Sequence, residues 1–224
     1  MMKILKVGVV ALLFSVTALS AHAQNEIDKP FLANPPVNLE AMAGSRGVMY
    51  QLLLNKKFQN LPKFGVFGVA TGTGSWEKEI VPDIMTQTHL TYSLIKGLDV
   101  SAGIQYTPVY GFRPVAGLIY SYATKDLLLI LNPKLDLADD LANEHMALIE
   151  YKPRINEQLN FYSRIQGLYG FIPETGDHNR SYLMLRAGLS YKEFTFGVAT
   201  NFDWYGAVKH QENNFGVFVS FLLF

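Results

Sequence analysis

Apolar and polar side chains alternate along most of this chain. In one clear example, Phe194, Phe196 and Val198 alternate with Thr195 and Gly197. A period of two places successive side chains on opposite faces of an extended strand, and it is not the period of a helix. The same alternation recurs at 48–55, 87–94, 98–107, 159–169 and 182–192, and further strands fit near 63–72, 113–124, 126–136, 144–152 and 214–224. The pattern therefore predicts an all-β protein.

The connections between these strands alternate between short and long. Short turns fit at 96–97, 125–126 and 192–193, and long loops fit at 73–85, 134–143, 172–180 and 206–213. An antiparallel transmembrane β-barrel has strands of roughly 9–11 residues, short periplasmic turns and longer loops at the cell surface. We expect such a barrel with 12 strands, the first of which is segment 37–43. A barrel of 10 strands, with 37–57 packed elsewhere, is the alternative.

The beginning of the chain has the features of a secretory signal peptide. Lys3 and Lys6 precede an apolar stretch at 7–19, and Ala21-His22-Ala23 forms a cleavage motif of small residues. We expect cleavage after residue 23, a periplasmic tail at 24–36 that contains three prolines, and the barrel at 37–224. Beyond residue 23, the sequence has no run of roughly 18 apolar residues that would predict a membrane-spanning helix.

The composition limits the kinds of chemistry and the kinds of partner that the protein can have. The chain has no cysteine, which excludes disulfides and thiolate chemistry. Its formal net charge is zero, so nothing favours a nucleic acid partner. Charged residues make up 17% of the chain, below the roughly 25% of soluble domains. The expected partners are outer-membrane lipid and the outer-membrane insertion machinery. A small solute or a surface partner stays unidentified.

Several short segments resemble an uncharacterised family of small outer-membrane β-barrel proteins of Bacteroidota. The matching segments are 55–58, 63–67, 96–98, 113–118, 149–153, 168–169 and 203–206. They extend across most of the chain beyond the signal peptide. The resemblance implies a barrel fold and an outer-membrane location, and it implies no activity for any residue.

The polar faces of the predicted strands converge on the barrel interior. An arginine or lysine that faces lipid at mid-depth costs roughly 2–4 kcal/mol, so these side chains are expected to face inward. We expect Glu150 and Asp203 to pair with Arg164 and Arg186. Two interpretations stay open: a charged constriction that selects solutes, or ion pairs that fill a narrow barrel. The polar residues predicted to face the lumen are His89, Gln105, Glu150, Arg164, Gln166, Arg186, Asn201 and Asp203.

No catalytic or metal site is predicted. His89 and Ser93 share one strand face, but a separation of four residues corresponds to about 13 Å, too far for a nucleophile and its base. His145, His178 and His210 lie in or beside different predicted loops and lack the spacing of metal ligands. We therefore expect no metal and no cofactor.

The predicted function follows from the barrel. A small-solute channel or a structural envelope protein, without enzymatic activity, is the favoured hypothesis. A closed barrel whose surface loops bind a partner or ligand is the alternative, and an outer-membrane hydrolase is less favoured. The last predicted strand is largely apolar and ends at Phe224, which we expect to act as the assembly signal for insertion.

Overall fold

Twelve antiparallel strands form one closed barrel. The computed structural model describes residues 34–77, 83–138 and 142–224. Each strand pairs with its neighbours in the chain, and the first strand closes the barrel by pairing with the last. The strands are β1 (Val37–Gly44), β2 (Gly47–Phe58), β3 (Leu61–Ser75), β4 (Asp83–Ile95), β5 (Leu98–Thr107), β6 (Gly111–Ala123), β7 (Leu127–Asp136), β8 (Asn143–Tyr151), β9 (Leu159–Phe171), β10 (His178–Tyr191), β11 (Phe194–Tyr205) and β12 (His210–Leu223).

The prediction of an all-β, 12-stranded antiparallel barrel is confirmed. The ten-stranded alternative is wrong, because both β1 and β2 belong to the closed sheet. The predicted signal peptide and the tail up to residue 33 lie outside the described residues. No helix in the described part of the chain is long and apolar enough to cross a membrane.

The strand alternation sorts side chains between the two faces of the barrel wall. On β11, Phe196 and Val198 are 51% and 62% exposed on the outer face, whereas Thr195 and Asn201 are buried on the inner face. Leu90 and Ile165 are likewise exposed on the outer face. An apolar outer surface on a closed sheet suits contact with lipid, because every backbone group is paired strand to strand. The barrel is therefore a transmembrane barrel of the outer-membrane type.

The two ends of the barrel differ in their connections. One end, the turn end, carries the tight turns 59–60, 96–97, 125–126 and 192–193. At these turns Gly97 has a φ of 81° and Lys192 a φ of 52°, as tight hairpins require. The other end, the loop end, carries the connections 76–82, 137–142 and 172–177 together with the shorter 45–46, 108–110 and 206–209, and the turn end also has the longer connection 152–158.

Inward-facing glycines allow the wall to bend. Gly188 and Gly197 lie opposite each other on β10 and β11. A Cβ atom on Gly197 would overlap the carbonyl oxygen of Ala187, so only glycine fits this close approach. The same crowding occurs at Gly103, Gly117 and Gly216.

Large side chains fill the interior. Two buried apolar clusters join strands that are not neighbours in the sheet; the first contains both Met85 on β4 and Tyr182 on β10, six strands apart around the barrel. A barrel of about eight strands is just wide enough to be filled by side chains, so a 12-stranded one needs long ones. The first cluster comprises Met42, Met49, Met85, Tyr162, Leu168, Tyr182, Met184, Ala199 and Phe218, and the second comprises Leu53, Phe67, Val69, Ile119, Ile130, Met146 and Leu148.

Candidate functional site in the barrel interior

A glutamate shared by two arginines lies in the interior. Arg164 Nη2 donates to Glu40 Oε2 at 2.7 Å, and Arg186 Nε donates to Glu40 Oε1 at 2.9 Å. Arg186 Nη1 also donates to Asn201 Oδ1 at 2.8 Å. Glu40, Arg164, Arg186 and Asn201 form what we call the central cluster, and all four are buried. Because β1 and β9 lie four strands apart around the barrel, the Glu40–Arg164 pair crosses the lumen.

The ion pairs differ from those that the sequence suggested. Glu150 accepts a hydrogen bond from Tyr162 Oη at 2.8 Å, and Asp203 lies 3.5 Å from Arg180 Nη2. Arg164 is directly opposite Glu150 in the β8–β9 register, yet its guanidinium reaches inward to Glu40. The register of neighbouring strands therefore does not decide which charged groups meet. Long side chains find their partners across the lumen.

A second polar cluster surrounds a buried lysine. Lys134 Nζ lies 2.8 Å from Glu144 Oε2 and donates to Gln87 Oε1 at 2.6 Å. It also donates to Gln105 Oε1, and Gln105 Nε2 donates to Glu144 Oε2 at 3.0 Å. His89 Nε2 lies 3.3 Å from Gln87 Oε1. We call Lys134, Glu144, Gln87, Gln105 and His89 the lysine cluster.

Sequence reasoning missed Lys134 as an interior residue. The predicted strand near 126–136 and the predicted loop 134–143 overlapped at this residue; in the structure β7 continues to Asp136 and β8 begins at Asn143. Arg113 Nη1 lies 2.8 Å from Asp136 Oδ2, and both side chains are buried. The missed signal is the alternation at Asn132, Lys134 and Asp136, which continues the inward phase of β7.

A third cluster bridges the loop end of the lumen. Arg180 contacts Asp83 through two hydrogen bonds, of 2.9 and 2.5 Å, and Tyr205 Oη donates to Asp83 Oδ2 at 2.8 Å. Asp203 is the second acid beside Arg180. Asp83 begins β4 and Arg180 lies on β10, six strands away, so the pair spans the barrel opening. We call Asp83, Arg180, Asp203 and Tyr205 the mouth cluster.

All eight residues predicted to face the lumen lie on the inner face and are buried. Gln166 Nε2 donates to Tyr182 Oη at 3.1 Å, and the other seven belong to the contacts described above. His89 and Ser93 do not meet, because Ser93 Oγ donates to Asp99 Oδ1 at 2.7 Å. The eight are His89, Gln105, Glu150, Arg164, Gln166, Arg186, Asn201 and Asp203.

The interior is closed but incompletely paired. Arg164 is 1% exposed and His89 is 0% exposed, which means that water has almost no access to these side chains. Several buried polar atoms nevertheless lack a hydrogen-bond partner, among them Arg164 Nε, Gln166 Oε1 and Asn132 Oδ1. An incompletely satisfied polar network is less stable than a fully satisfied one. The interior is therefore filled by side chains whose polar network is not fully satisfied.

A serine–histidine pair lies on the outer face near the loop end. His178 Nε2 is 2.9 Å from Ser181 Oγ, and His178 Nδ1 is 2.7 Å from the carbonyl oxygen of Gly206. A register shift between residues 178 and 181 breaks the alternation of β10 and brings both side chains to one face. Sequence reasoning missed the pair because a bulge cannot be read from alternation.

The described residues hold no group of three or more histidine or acidic side chains that could bind a metal. His178 is held by Ser181 and Gly206, and the ring of His145 lies 5.7 Å from the ring of Phe171. The predicted loop histidines therefore do not converge.

Comparison with known proteins yields distant structural similarities only. No protein-family model and no curated protein matches the chain. The NanC porin is similar with a TM-score of 0.48 and 14% identity, over 83% of this chain and 98% of that chain. The KdgM porin in complex with disordered oligogalacturonate has a TM-score of 0.43 and 14% identity, over 83% and 97%. OprD from Pseudomonas aeruginosa has a TM-score of 0.40 and 11% identity, over 80% and 62%.

Proposed function

We propose that this protein is a non-enzymatic barrel of the bacterial outer membrane whose lumen is closed at rest by its own side chains. It supports the envelope and passes small solutes slowly, when the interior side chains rearrange. The observation that carries the proposal is the central cluster, in which Glu40 on β1 binds Arg164 on β9 across the lumen. Resemblance to the Bacteroidota family stays a prediction.

The charges of the interior favour weak selectivity. Arg113 is paired with Asp136, Lys134 with Glu144 and Arg180 with Asp83, so each of these three cations has its own acid. A pore that strongly selects one sign of charge is built from a ring of like charges. Paired charges instead favour small polar solutes of either sign.

Recordings from the refolded protein in planar bilayers test the proposal. We expect long closed periods with brief, small openings. Asp83→Asn weakens the mouth cluster and is expected to make openings more frequent. The matched control is Glu212→Gln, which weakens the pair between Arg46 in the β1–β2 turn and Glu212 on the adjacent β12, at the same end and not across the lumen. Steady, large conductance of the wild-type protein would contradict a closed lumen.

An acyl hydrolase is the second candidate function, favoured by the contact between His178 and Ser181. Because the carbonyl of Gly206 can only accept, His178 Nδ1 carries the hydrogen and Nε2 is free to take the proton of Ser181. This is the arrangement of a nucleophile, its base and an orienting group. The competing explanation is that the two side chains satisfy each other beside Tyr169, whose ring lies 5.6 Å from His178.

Covalent labelling decides between these explanations. An active-site fluorophosphonate probe should label wild-type protein, and Ser181→Ala should abolish the label, if the pair is catalytic. Ser163→Ala is the matched control, because Ser163 Oγ donates to the carbonyl of Tyr151 and contacts no histidine. Absence of labelling that depends on Ser181 would remove the hydrolase from consideration.

A further inference from the structure

A cavity opens at the turn end of the lumen. Its volume is about 250 Å³. One side is formed by β1, β2 and β12, and the opposite side by the β6–β7 turn, β7 and β8. These two groups of strands lie across the barrel from each other, so the cavity is the inner vestibule of the lumen. Pockets for drug-sized ligands measure roughly 300–1,000 Å³, so this vestibule suits a smaller molecule.

One part of the vestibule wall is apolar. Leu53, Ile130 and Leu222 line it from three different strands, and all three are buried. Side chains of this kind offer contact area to an aliphatic or aromatic group and no hydrogen bond. A ligand that fills the vestibule therefore needs an apolar portion.

Two hydrogen-bond acceptors lie within the strand region of the vestibule. Glu150 lines the vestibule. It takes part in none of the ion pairs among the described residues. Its Oε2 accepts from Tyr162 Oη at 2.8 Å. Asn38 also lines the vestibule, is 6% exposed, and its Oδ1 has no hydrogen-bond partner. The second carboxylate oxygen of Glu150 is occupied by no described hydrogen bond or ion pair, so this oxygen and Asn38 Oδ1 can both accept from an ammonium group.

The charge changes sign toward the rim. Lys125 lies in the β6–β7 turn and Lys152 follows the end of β8, and both line the vestibule. Glu150 lies inside β8, so the carboxylate is deeper in the barrel than the two ammonium groups. A molecule with an ammonium at one position and a carboxylate at another matches this order of charges.

We propose that the vestibule binds a small zwitterion with an apolar side chain, of the class of free apolar α-amino acids. The ammonium lies at Glu150 and Asn38, the carboxylate lies toward Lys125 and Lys152, and the side chain packs on Leu53, Ile130 and Leu222. Either end of the Asn38 amide can face the ligand after rotation of the side chain. Binding here goes beyond the proposed function, because it does not require that the barrel conducts.

Calorimetric titration of the full-length refolded barrel with L-leucine tests the proposal. L-leucine should bind, whereas 4-methylpentanoate, which lacks the ammonium, and L-leucinamide, which lacks the carboxylate, should bind about ten-fold more weakly or worse. Glu150→Gln keeps an acceptor for Tyr162 and removes the charge, and it should weaken L-leucine binding about ten-fold or more.

Glu157→Gln is the matched control, because Glu157 is an exposed acid in the β8–β9 connection at the same end. Its affinity for L-leucine should equal that of the wild-type protein. Absence of L-leucine binding, equal binding of the three compounds, or unchanged affinity of folded Glu150→Gln would each overturn the proposal. None of these outcomes bears on conductance, so the bilayer recordings test the closed lumen separately.

Discussion

Glu40 is the residue on which the interior charges depend most. Its two carboxylate oxygens are divided between Arg164 and Arg186, and it is 1% exposed. Neither arginine contacts another acid at a comparable distance among the described ion pairs. Loss of one buried carboxylate therefore leaves two guanidinium groups without a counter-ion. A single substitution at Glu40 has a larger effect than the same change at a residue with one partner.

Glu40→Ala should lower the free energy of unfolding by about 3–5 kcal/mol, the cost of leaving a buried charge uncompensated. Reversible urea unfolding of the barrel in detergent micelles measures the change. Glu157→Ala is the control, because its side chain is exposed and should change stability by less than about 0.5 kcal/mol. Equal unfolding midpoints for the two variants would show that the central cluster contributes nothing to stability.

At the scale of the strand, close approach of neighbouring backbones shapes the barrel wall. The inward-facing glycines on β10 and β11 lie opposite each other and leave no room for a side chain. Bends of this kind allow a sheet to close around long arginine and tyrosine side chains. The outward glycines of β3 have no such role, because nothing lies within 4 Å of a Cβ atom on Gly72.

Gly197→Ala should therefore destabilise the barrel by about 1–3 kcal/mol, the usual cost of overpacking. Gly72→Ala provides the matched control and should leave stability nearly unchanged. The measurement is the fraction of each variant that folds in detergent, followed by urea unfolding of the folded fraction. If both alanine variants fold with equal yield and stability, the crowding at Gly197 does not limit the fold.

The strands could be predicted from alternation because their outer faces meet lipid and their inner faces do not. The side-chain partners of the polar residues inside the barrel could not be predicted from this alternation. Glu150 and Asp203 were expected to pair with Arg164 and Arg186, but both arginines bind Glu40. Asp83 and Arg180 were placed in loops, since charge at a strand end has no period that distinguishes it from loop polarity. Contacts across a lumen depend on curvature, which the sequence pattern does not contain.

For the whole molecule, the two ends differ in the length and polarity of their connections. The connection 172–177 at the loop end contains Glu174 and Asp177, whereas 125–126 at the turn end is a tight hairpin. Outer-membrane barrels carry short turns in the periplasm and longer loops at the cell surface, so we expect the loop end to face the exterior. The orientation of the barrel is thus a property that experiment can test directly.

An epitope tag inserted after Gly176 should be detected on intact cells, because this glycine lies in an exposed connection at the loop end. A tag between Lys125 and Asp126 should be detected only after the outer membrane is permeabilised. Heat-modifiable migration in gels shows that each tagged protein is folded. Detection in the reverse order would place the loop end in the periplasm.

Phe224 offers a separate test of assembly in the cell. It follows the last paired residue of β12 and is 89% exposed, so its removal costs few contacts within the barrel. Deletion of Phe224 should reduce the amount of protein in the outer membrane several-fold while the refolded protein keeps its stability in vitro. Normal membrane yield of the deletion variant would show that Phe224 is not the assembly signal.

The first strand carries a consequence for the number of strands. At eight residues, β1 is the shortest strand of the described barrel, yet it contributes Glu40. A barrel that closed without it would have 11 strands, would have to join β2 to β12 in parallel, and would leave Arg164 and Arg186 facing each other without an acid. Only β1 supplies the acid that neutralises that pair. The charges at the centre of the lumen thus favour a barrel of 12 strands, because a barrel without β1 would retain the repulsion between Arg164 and Arg186.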